Sequence, residues 1–289
     1  MTALFTRRAA LLGAGLCLQE ARASIPLKHF KVDGEWCFLG MQARPNNGDR
    51  AVILFDGNGT TVGADTSSWE KNAACTALSQ AILDAGIPVA QSNRTATPEN
   101  GMWGNAASQR SILALMELLR KDHGIRRFSA ITVSAGGASL LNLLLDHKAS
   151  FDAAAVFAPA ISLESMYRCP GGIDRVKGIA EAYRFKPLTG CPGDPEKDLE
   201  FRRATEGFDP IRRIGSALPK DWAGSKTSWM VLYHHGDPKV LPLENGGRLV
   251  QLLRQSGAQV REVAIEGQTH NSDDLMRDYG QDVVRLLMD

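Results

Sequence analysis

Short apolar segments alternate with longer amphipathic segments along most of the chain, and this alternation predicts a sheet covered by helices. The run Ala51–Phe55 contains no polar residue, as expected for a strand whose two faces are both covered. Two further segments, Phe128–Val133 and Ala153–Ala158, also have the length of a strand. Stretches with helical periodicity separate the strand segments, and Ala106–His123 is the clearest of these stretches. Strands that alternate with helices predict an α/β fold with a doubly wound, mostly parallel sheet and right-handed crossovers.

The other elements are predicted from turn residues, caps and breakers. Asp33-Gly34 turns an N-terminal hairpin. The further predicted strands are Pro88–Ser92, Ser228–Tyr233 and Gln259–Ile265, and the further helices are Ser67 or Ser68 to about Ala85, Gly136–His147, Leu243–Ser256 and Asp273–Met288. The pattern breaks at about residues 161–223, where prolines and glycines separate short helical stretches such as Ile173–Tyr183 and Glu196–Glu206.

A candidate nucleophile lies between the strand Phe128–Val133 and the helix after it. The segment Thr132-Val133-Ser134-Ala135-Gly136 places a serine in a strand-to-helix turn with small residues around it. Such a turn strains the serine backbone, and this is why the nucleophile elbow is written G-x-S-x-G. A serine that only caps the following helix is the structural alternative.

Two further polar residues follow predicted strands near the C-terminus. Asp237 ends the strand that begins at Ser228, and His270 lies in the loop between the last strand and the last helix. Side chains at the carboxyl ends of parallel strands meet at one edge of the sheet. An imidazole there would accept the proton of the Ser134 hydroxyl, and a carboxylate would orient that imidazole, with Glu244 as the reserve acid. The order Ser, Asp, His is typical of one class of serine hydrolases.

An acyl-transfer site also needs two N–H donors for the oxyanion that develops. The N–H of Ala135 is the first candidate because it follows the serine. The second is the N–H of Asn58, in the glycine-flanked turn after the strand Ala51–Phe55. A phosphate-binding loop is the alternative interpretation of this turn, but the lysine and spacing of a P-loop are absent.

The N-terminal residues 1–23 predict an export signal. Arg7-Arg8 precedes the apolar run Ala9–Leu18, and Ala21-Arg22-Ala23 is a signal-peptidase pattern, with the paired arginines indicating the twin-arginine route. A buried N-terminal helix is the alternative. The mature protein is therefore expected to be periplasmic or secreted. No apolar run reaches the ~18 residues of a membrane span. The net charge of +1 favours neither nucleic acid nor a membrane surface as a partner.

Four cysteines remain after removal of a signal that contains Cys17. An even number in an exported protein favours disulfides, with three possible connectivities. We expect Cys169–Cys191, within the proline-rich segment, and then Cys37–Cys75, while four free thiols stay possible. No C-x-x-C motif or close Cys/His spacing predicts a metal site, and no cofactor is expected.

With these motifs the chain resembles an α/β-hydrolase over nearly all of residues 28–289. The likeness rests on the serine turn, on Asp56-Gly-Asn-Gly, on His235-Gly-Asp237 and on Thr269-His270. The resemblance implies an eight-stranded sheet, a triad of Ser134, Asp237 and His270, and a cap inserted after the sixth strand. Residues 161–223 match that cap by position, and 24–160 and 224–289 form the core. The chain departs from the family at Thr132, which replaces the first elbow glycine, at Asp56, where many members have His, and in a shorter acid turn.

The sequence thus predicts an exported serine hydrolase that cleaves carboxylic esters of small molecules through an acyl-enzyme. A peptidase, an amidase or an acyltransferase with the same triad is the nearest alternative, and a non-catalytic binding protein of the same fold is another. Met102, Trp103 and Tyr167 are candidates for the lining of a substrate pocket, although aromatic residues at such positions often serve only packing.

Overall fold

The computed structural model describes residues 27–42, 48–96, 103–147, 149–186, 189–215 and 222–289. The predicted signal 1–23, with Cys17, and the candidate pocket residue Met102 lie outside these residues. No helix in the described ranges is both long enough and apolar enough to cross a membrane.

One eight-stranded sheet forms the centre of the described structure. The strands are β1 Leu27–Val32, β2 Glu35–Gly40, β3 Arg50–Phe55, β4 Val89–Ser92, β5 Arg127–Val133, β6 Ala153–Phe157, β7 Ser228–His234 and β8 Val260–Ile265. Their order across the sheet is β1-β2-β4-β3-β5-β6-β7-β8. The strand β2 is antiparallel to both neighbours, and every other pair is parallel. The predicted fold class, a doubly wound and mostly parallel sheet, is confirmed.

Helices cover both faces of this sheet. They are α1 Ser68–Lys71, α2 Ala73–Asp84, α3 Ala106–His123, α4 Gly136–His147, α5 Leu163–Tyr167, α6 Ile173–Tyr183, α7 Leu199–Thr205, α8 Pro210–Ile214, α9 Gly246–Gln255 and α10 Ser272–Met288. Apolar residues of α3, α4 and α9 pack on one face, where Ala51, Ile53 and Phe55 of β3 point. Those of α2 and α10 pack on the other face with Val52 and Leu54. The alternation along β3 follows from the two-residue period of a strand.

Two helices that the periodicity predicts as continuous are interrupted, each by an asparagine. Asn72 has an extended backbone, and its side chain accepts the Cys75 N–H at 3.0 Å, so α2 begins after it. Asn245 is fully buried, and its Oδ1 accepts the N–H groups of Ile161 and Ser162 at 2.9 and 3.0 Å. The α-helix after β7 therefore starts at Gly246, behind a short 3₁₀ turn. In both places, side-chain hydrogen bonds to backbone groups compete with helix continuation.

The structure confirms one of the two expected disulfides and contradicts the other. Cys169 and Cys191 are bonded, with Cα atoms 5.7 Å apart. Cys37 and Cys75 are both free and buried. Cys37 belongs to the hydrophobic cluster on one face of the sheet, and Cys75 to the cluster on the other. The predicted Cys37–Cys75 pair is wrong because the sheet separates the two thiols.

The segment between β6 and β7 carries helices α5 to α8. Its apolar residues form a third hydrophobic cluster that includes Ala135, next to the candidate nucleophile, and Val240, beyond Asp237. Tyr167, Phe185 and Phe201 are the aromatic centre of this cluster. The segment therefore packs directly against the turns that carry the candidate site.

Removal of the disulfide should weaken this segment. We expect the double substitution Cys169→Ala/Cys191→Ala to lower the free energy of unfolding by about 3 kcal/mol, because the bond closes a loop with a separation of 22 residues. Denaturant unfolding with and without a reductant measures the effect. The reductant should destabilise the wild type and leave the double variant unchanged, and an equal response of both proteins would contradict the prediction.

Candidate active site

Ser134 lies in the tight turn between β5 and α4, with a backbone φ of +49°. This left-handed conformation is strained for a residue with a side chain. The helix α4 begins two residues later at Gly136. A Cβ at Gly136 would overlap the Phe55 carbonyl oxygen and lie 2.9 Å from that of Asp56, so only glycine fits there. The local geometry is that of a nucleophile elbow.

Thr132 occupies the place of the first elbow glycine and is accommodated within β5. Its backbone pairs with Phe55 on one side and Val156 on the other. The side chain is buried, and its hydroxyl has no hydrogen-bond partner among the described residues. The strained turn thus begins only after Val133, and the departure from glycine at 132 does not prevent the turn from forming.

A chain of hydrogen bonds connects the three predicted triad residues. His270 lies in the loop between β8 and α10, and its Nε2 is 3.0 Å from the Ser134 Oγ. Its Nδ1 is 2.6 Å from the Oδ2 of Asp237. With a proton on Nδ1, the imidazole donates to Asp237 and accepts from the serine hydroxyl. The exposed fractions of the His270 and Asp237 side chains are only 11% and 3%, so both are shielded from water.

The turn after β7 holds the Asp237 carboxylate by both oxygens. Its Oδ1 accepts the N–H groups of Lys239 and Val240 at 2.8 and 3.0 Å, while Oδ2 faces His270. Burial raises the pKa of Asp237, but the His270 hydrogen bond and charge and the two backbone donors together hold it below its ordinary value. The reserve acid Glu244 instead pairs with Arg168 at 2.9 Å. The shorter turn therefore still brings Asp237 within reach of His270.

A cavity of about 280 Å³ opens in front of Ser134 and His270. Its described lining residues are Asp56, Gly57, Asn58, Thr60, Ser68, Asn72, Cys75, Val133, Ser134, Arg175, His270 and Ser272. The turn after β3 lies against the serine, since a Cβ on Gly57 would be 3.5 Å from the Ser134 Cβ. Asn58 thus lines the same cavity as the serine. Ala135 is buried, and no group of the described chain accepts its N–H.

Known structures share this arrangement of strands and helices. An acylaminoacyl peptidase from Pyrococcus horikoshii superposes with a TM-score of 0.64 at 13% identity, over 92% of this chain and 41% of that one. Est1E from Butyrivibrio proteoclasticus gives 0.56 at 15% identity, over 91% and 97%. A hormone-sensitive lipase from a metagenome library gives 0.58 at 13% identity, over 92% and 86%. The chain has the α/β-hydrolase fold.

This chain spans about two fifths of the length of the peptidase, but nearly all of Est1E. No protein-family model and no curated protein matches the sequence. At such low identities the α/β-hydrolase fold is shared, while residue roles must be argued from the site itself.

A buried arginine that interacts electrostatically with Asp56 was not predicted from the sequence. Asp56 accepts the Gly57 N–H at 2.8 Å. The guanidinium of Arg94 is fully buried, interacts electrostatically with Asp56, and has no hydrogen-bond partner in the described ranges. Burial lowers the pKa of Arg94 to about 10, and the Asp56 charge opposes this shift. Asp56 thus contributes an acid to the cavity wall and interacts with a buried guanidinium.

The two described candidates for the pocket lining point elsewhere. The side chain of Trp103 is buried in the third hydrophobic cluster, and its carbonyl accepts the Tyr183 hydroxyl at 2.8 Å. Tyr167 stacks on Phe201 with ring centroids 4.0 Å apart, and its hydroxyl donates to Asp198. Neither residue lines the cavity in front of Ser134. Met102 lies outside the described residues.

The close approach at Gly136 gives a direct test of the elbow. We expect Gly136→Ala to abolish the reaction of Ser134 with a fluorophosphonate probe, because the added methyl group would push α4 away from the end of β3. Gly207→Ala is the matched control, since a Cβ there meets nothing within 4 Å. Activity and denaturant unfolding of both variants check the prediction. An active Gly136→Ala protein would contradict this account of the turn.

Proposed function

We propose that this protein is a serine hydrolase that cleaves carboxylic esters through an acyl-enzyme. The hydrogen-bond chain from Ser134 through His270 to Asp237 carries the proposal. An ordinary serine hydroxyl is a poor nucleophile, and an imidazole oriented by a buried carboxylate is the usual means of activating it. The strained backbone of Ser134, at φ +49°, adds support because strain of this kind persists where function requires it.

In the first half of the proposed reaction, the Ser134 Oγ attacks the carbonyl carbon while its proton passes to the Nε2 of His270. Asp237 holds the imidazole and stabilises the imidazolium that forms. The N–H groups of Ala135 and Asn58 donate to the oxyanion. The carbon–oxygen bond to the leaving group then breaks, and the alcohol departs with the proton from His270.

In the second half, water attacks the acyl-enzyme and gives a proton to His270. The bond to Ser134 breaks, the proton returns to its Oγ, and the carboxylic acid leaves. No oxidant, reductant or metal takes part in this sequence. Among the described residues, no cluster of histidine, cysteine or acidic side chains could hold a metal ion.

The comparison structures include both a lipase and peptidases. The chain covers 97% of Est1E and 86% of the hormone-sensitive lipase, but 41% of the acylaminoacyl peptidase. A peptidase or amidase is the second candidate, because the acylaminoacyl peptidase shares this fold. A non-catalytic binding protein would be favoured by an Asp237 out of reach of His270, and the 2.6 Å distance argues against it.

We further propose that residues 161–223 act as the cap and that residues 1–23 direct export. The segment 161–223 contributes Arg175 to the cavity wall and packs its apolar residues against Ala135 and Val240. The disulfide Cys169–Cys191 supports an oxidising compartment.

Labelling with a fluorophosphonate probe tests the proposed function. The folded wild type should be labelled, and Ser134→Ala should not be labelled. Asp237→Asn should react far more slowly, with a loss of about 10⁴-fold in kcat on p-nitrophenyl butyrate, because the imidazole loses its orienting partner. Turnover of the butyrate ester and the matched butyranilide separates esterase from amidase. A folded wild type that neither reacts with the probe nor hydrolyses the ester would contradict the proposal.

The second oxyanion donor has a test of its own. Asn58→Pro removes the N–H at this position, and we expect kcat to fall by about 10²- to 10³-fold. Asn58→Ala keeps the N–H and is the matched control for the loss of the side chain. If both variants lose activity equally while remaining folded, the Asn58 side chain, and not its N–H, is the group that matters.

A further inference from the structure

One cation, Arg175, faces the cavity that contains Ser134 and His270. It lies in the first turn of α6, within the segment between β6 and β7. The only other charged side chains in the described cavity wall are His270 and Asp56. His270 must be neutral to accept the serine proton. Asp56 already faces the buried Arg94 and accepts the Gly57 N–H. Among the described side chains of the wall, none therefore forms an ion pair with Arg175.

The guanidinium of Arg175 has little of its hydrogen-bonding capacity in use. Its Nη1 donates to the backbone carbonyl of Lys239 at 3.0 Å, and the described part of the chain offers no carboxylate within ion-pair distance. Asp237 is the acid that influences it electrostatically. Both oxygens of Asp237 are already occupied, by His270 and by two backbone N–H groups. A guanidinium has five N–H donors, so most of them remain available to a ligand.

One backbone hydrogen bond and one close contact position the arginine side chain. Its side chain lies against Gly171, where an added Cβ would be 2.9 Å from the Arg175 Cδ. The neighbouring Cys169 is tied to Cys191 by the disulfide. A guanidinium that is already positioned loses less freedom when it binds an anion.

We propose that Arg175 binds a carboxylate group of the substrate. The preferred substrates are then half-esters of small dicarboxylic acids, or esters whose alcohol part carries a carboxylate. The proposal rests on the esterase function proposed above and adds the substrate class. One planar guanidinium matches one planar monoanion by paired N–H donors. A phosphate dianion would need further cations, which the described wall does not provide. The cavity volume of about 280 Å³ suits a small substrate.

Matched pairs of substrates test this proposal by their ratio of kcat/KM. The first pair is p-nitrophenyl hemisuccinate and p-nitrophenyl 4-methylpentanoate, in which an isopropyl group replaces the carboxylate. The second is 4-carboxyphenyl acetate and 4-acetylphenyl acetate, with the anion on the leaving group. Spontaneous hydrolysis, measured with Ser134→Ala, is subtracted.

We expect Arg175→Gln to lower the ratio of anionic to neutral substrate by at least about tenfold in one pair, because charged hydrogen bonds are lost. Arg168→Gln is the matched control, since Arg168 belongs to the same segment but pairs with Glu164 and Glu244 outside this cavity. Its ratio should match that of the wild type. A ratio that Arg175→Gln leaves unchanged in both pairs would overturn the proposal, because a merely structural arginine would slow both substrates alike.

A binding measurement separates failure of this proposal from failure of the esterase function. Calorimetry on Ser134→Ala compares monomethyl succinate with methyl 4-methylpentanoate, with and without Arg175→Gln. The carboxylate site is supported, even for a protein without turnover, if the anionic ester binds more tightly than the neutral ester and Arg175→Gln removes this difference. Equal binding of the two esters, together with normal fluorophosphonate labelling of the wild type, leaves the hydrolase intact and rejects the carboxylate site.

Discussion

The contact between Gly136 and the end of β3 is the constraint on which the candidate site depends. It brings the first turn of α4 against the backbone of Phe55 and Asp56, in space that a methyl group would fill. Ser134 and the turn at Gly57 are thereby held side by side at one edge of the sheet. The strain in the serine backbone persists because strands on both sides fix β5 before the turn and the contact at Gly136 fixes α4 after it.

Around this contact, the buried acids Asp237 and Asp56 each interact with a basic side chain. Asp237 is hydrogen-bonded to His270 and to two backbone N–H groups, and Asp56 interacts electrostatically with Arg94. Desolvating a charge without a partner is costly, so such pairing is expected in a protein interior. Arg175 differs in that it lies at a cavity wall with one hydrogen bond and most of its donors unused. The proposed substrate carboxylate would supply the anionic partner that the described residues do not provide for Arg175.

The segment between β6 and β7 supplies both residues of a hydrophobic cluster and one residue of the cavity wall. Tyr167, a candidate pocket residue by its place in the sequence, instead packs in an aromatic cluster with Phe185 and Phe201. Arg175 of the same segment reaches the cavity. The way in which the short helices α5 to α8 lie on the core decides which of their residues pack inside and which face the cavity. Such helices carry little periodic signal, so this part of the site is the hardest to predict.

By itself the sequence determined the fold class, most element bounds and the order of the three polar residues at the strand ends. These follow from local periodicity and from the rule that parallel strands end at one edge of a sheet. Tertiary structure alone decided the rest. It delayed the start of the helix predicted after β7 to Gly246, because the Asn245 side chain bonds to backbone groups 83 and 84 residues away. It separated Cys37 from Cys75, buried Trp103 and buried Arg94 where its charge interacts with Asp56. Each of these outcomes depends on contacts between residues distant in the chain, which no local pattern records.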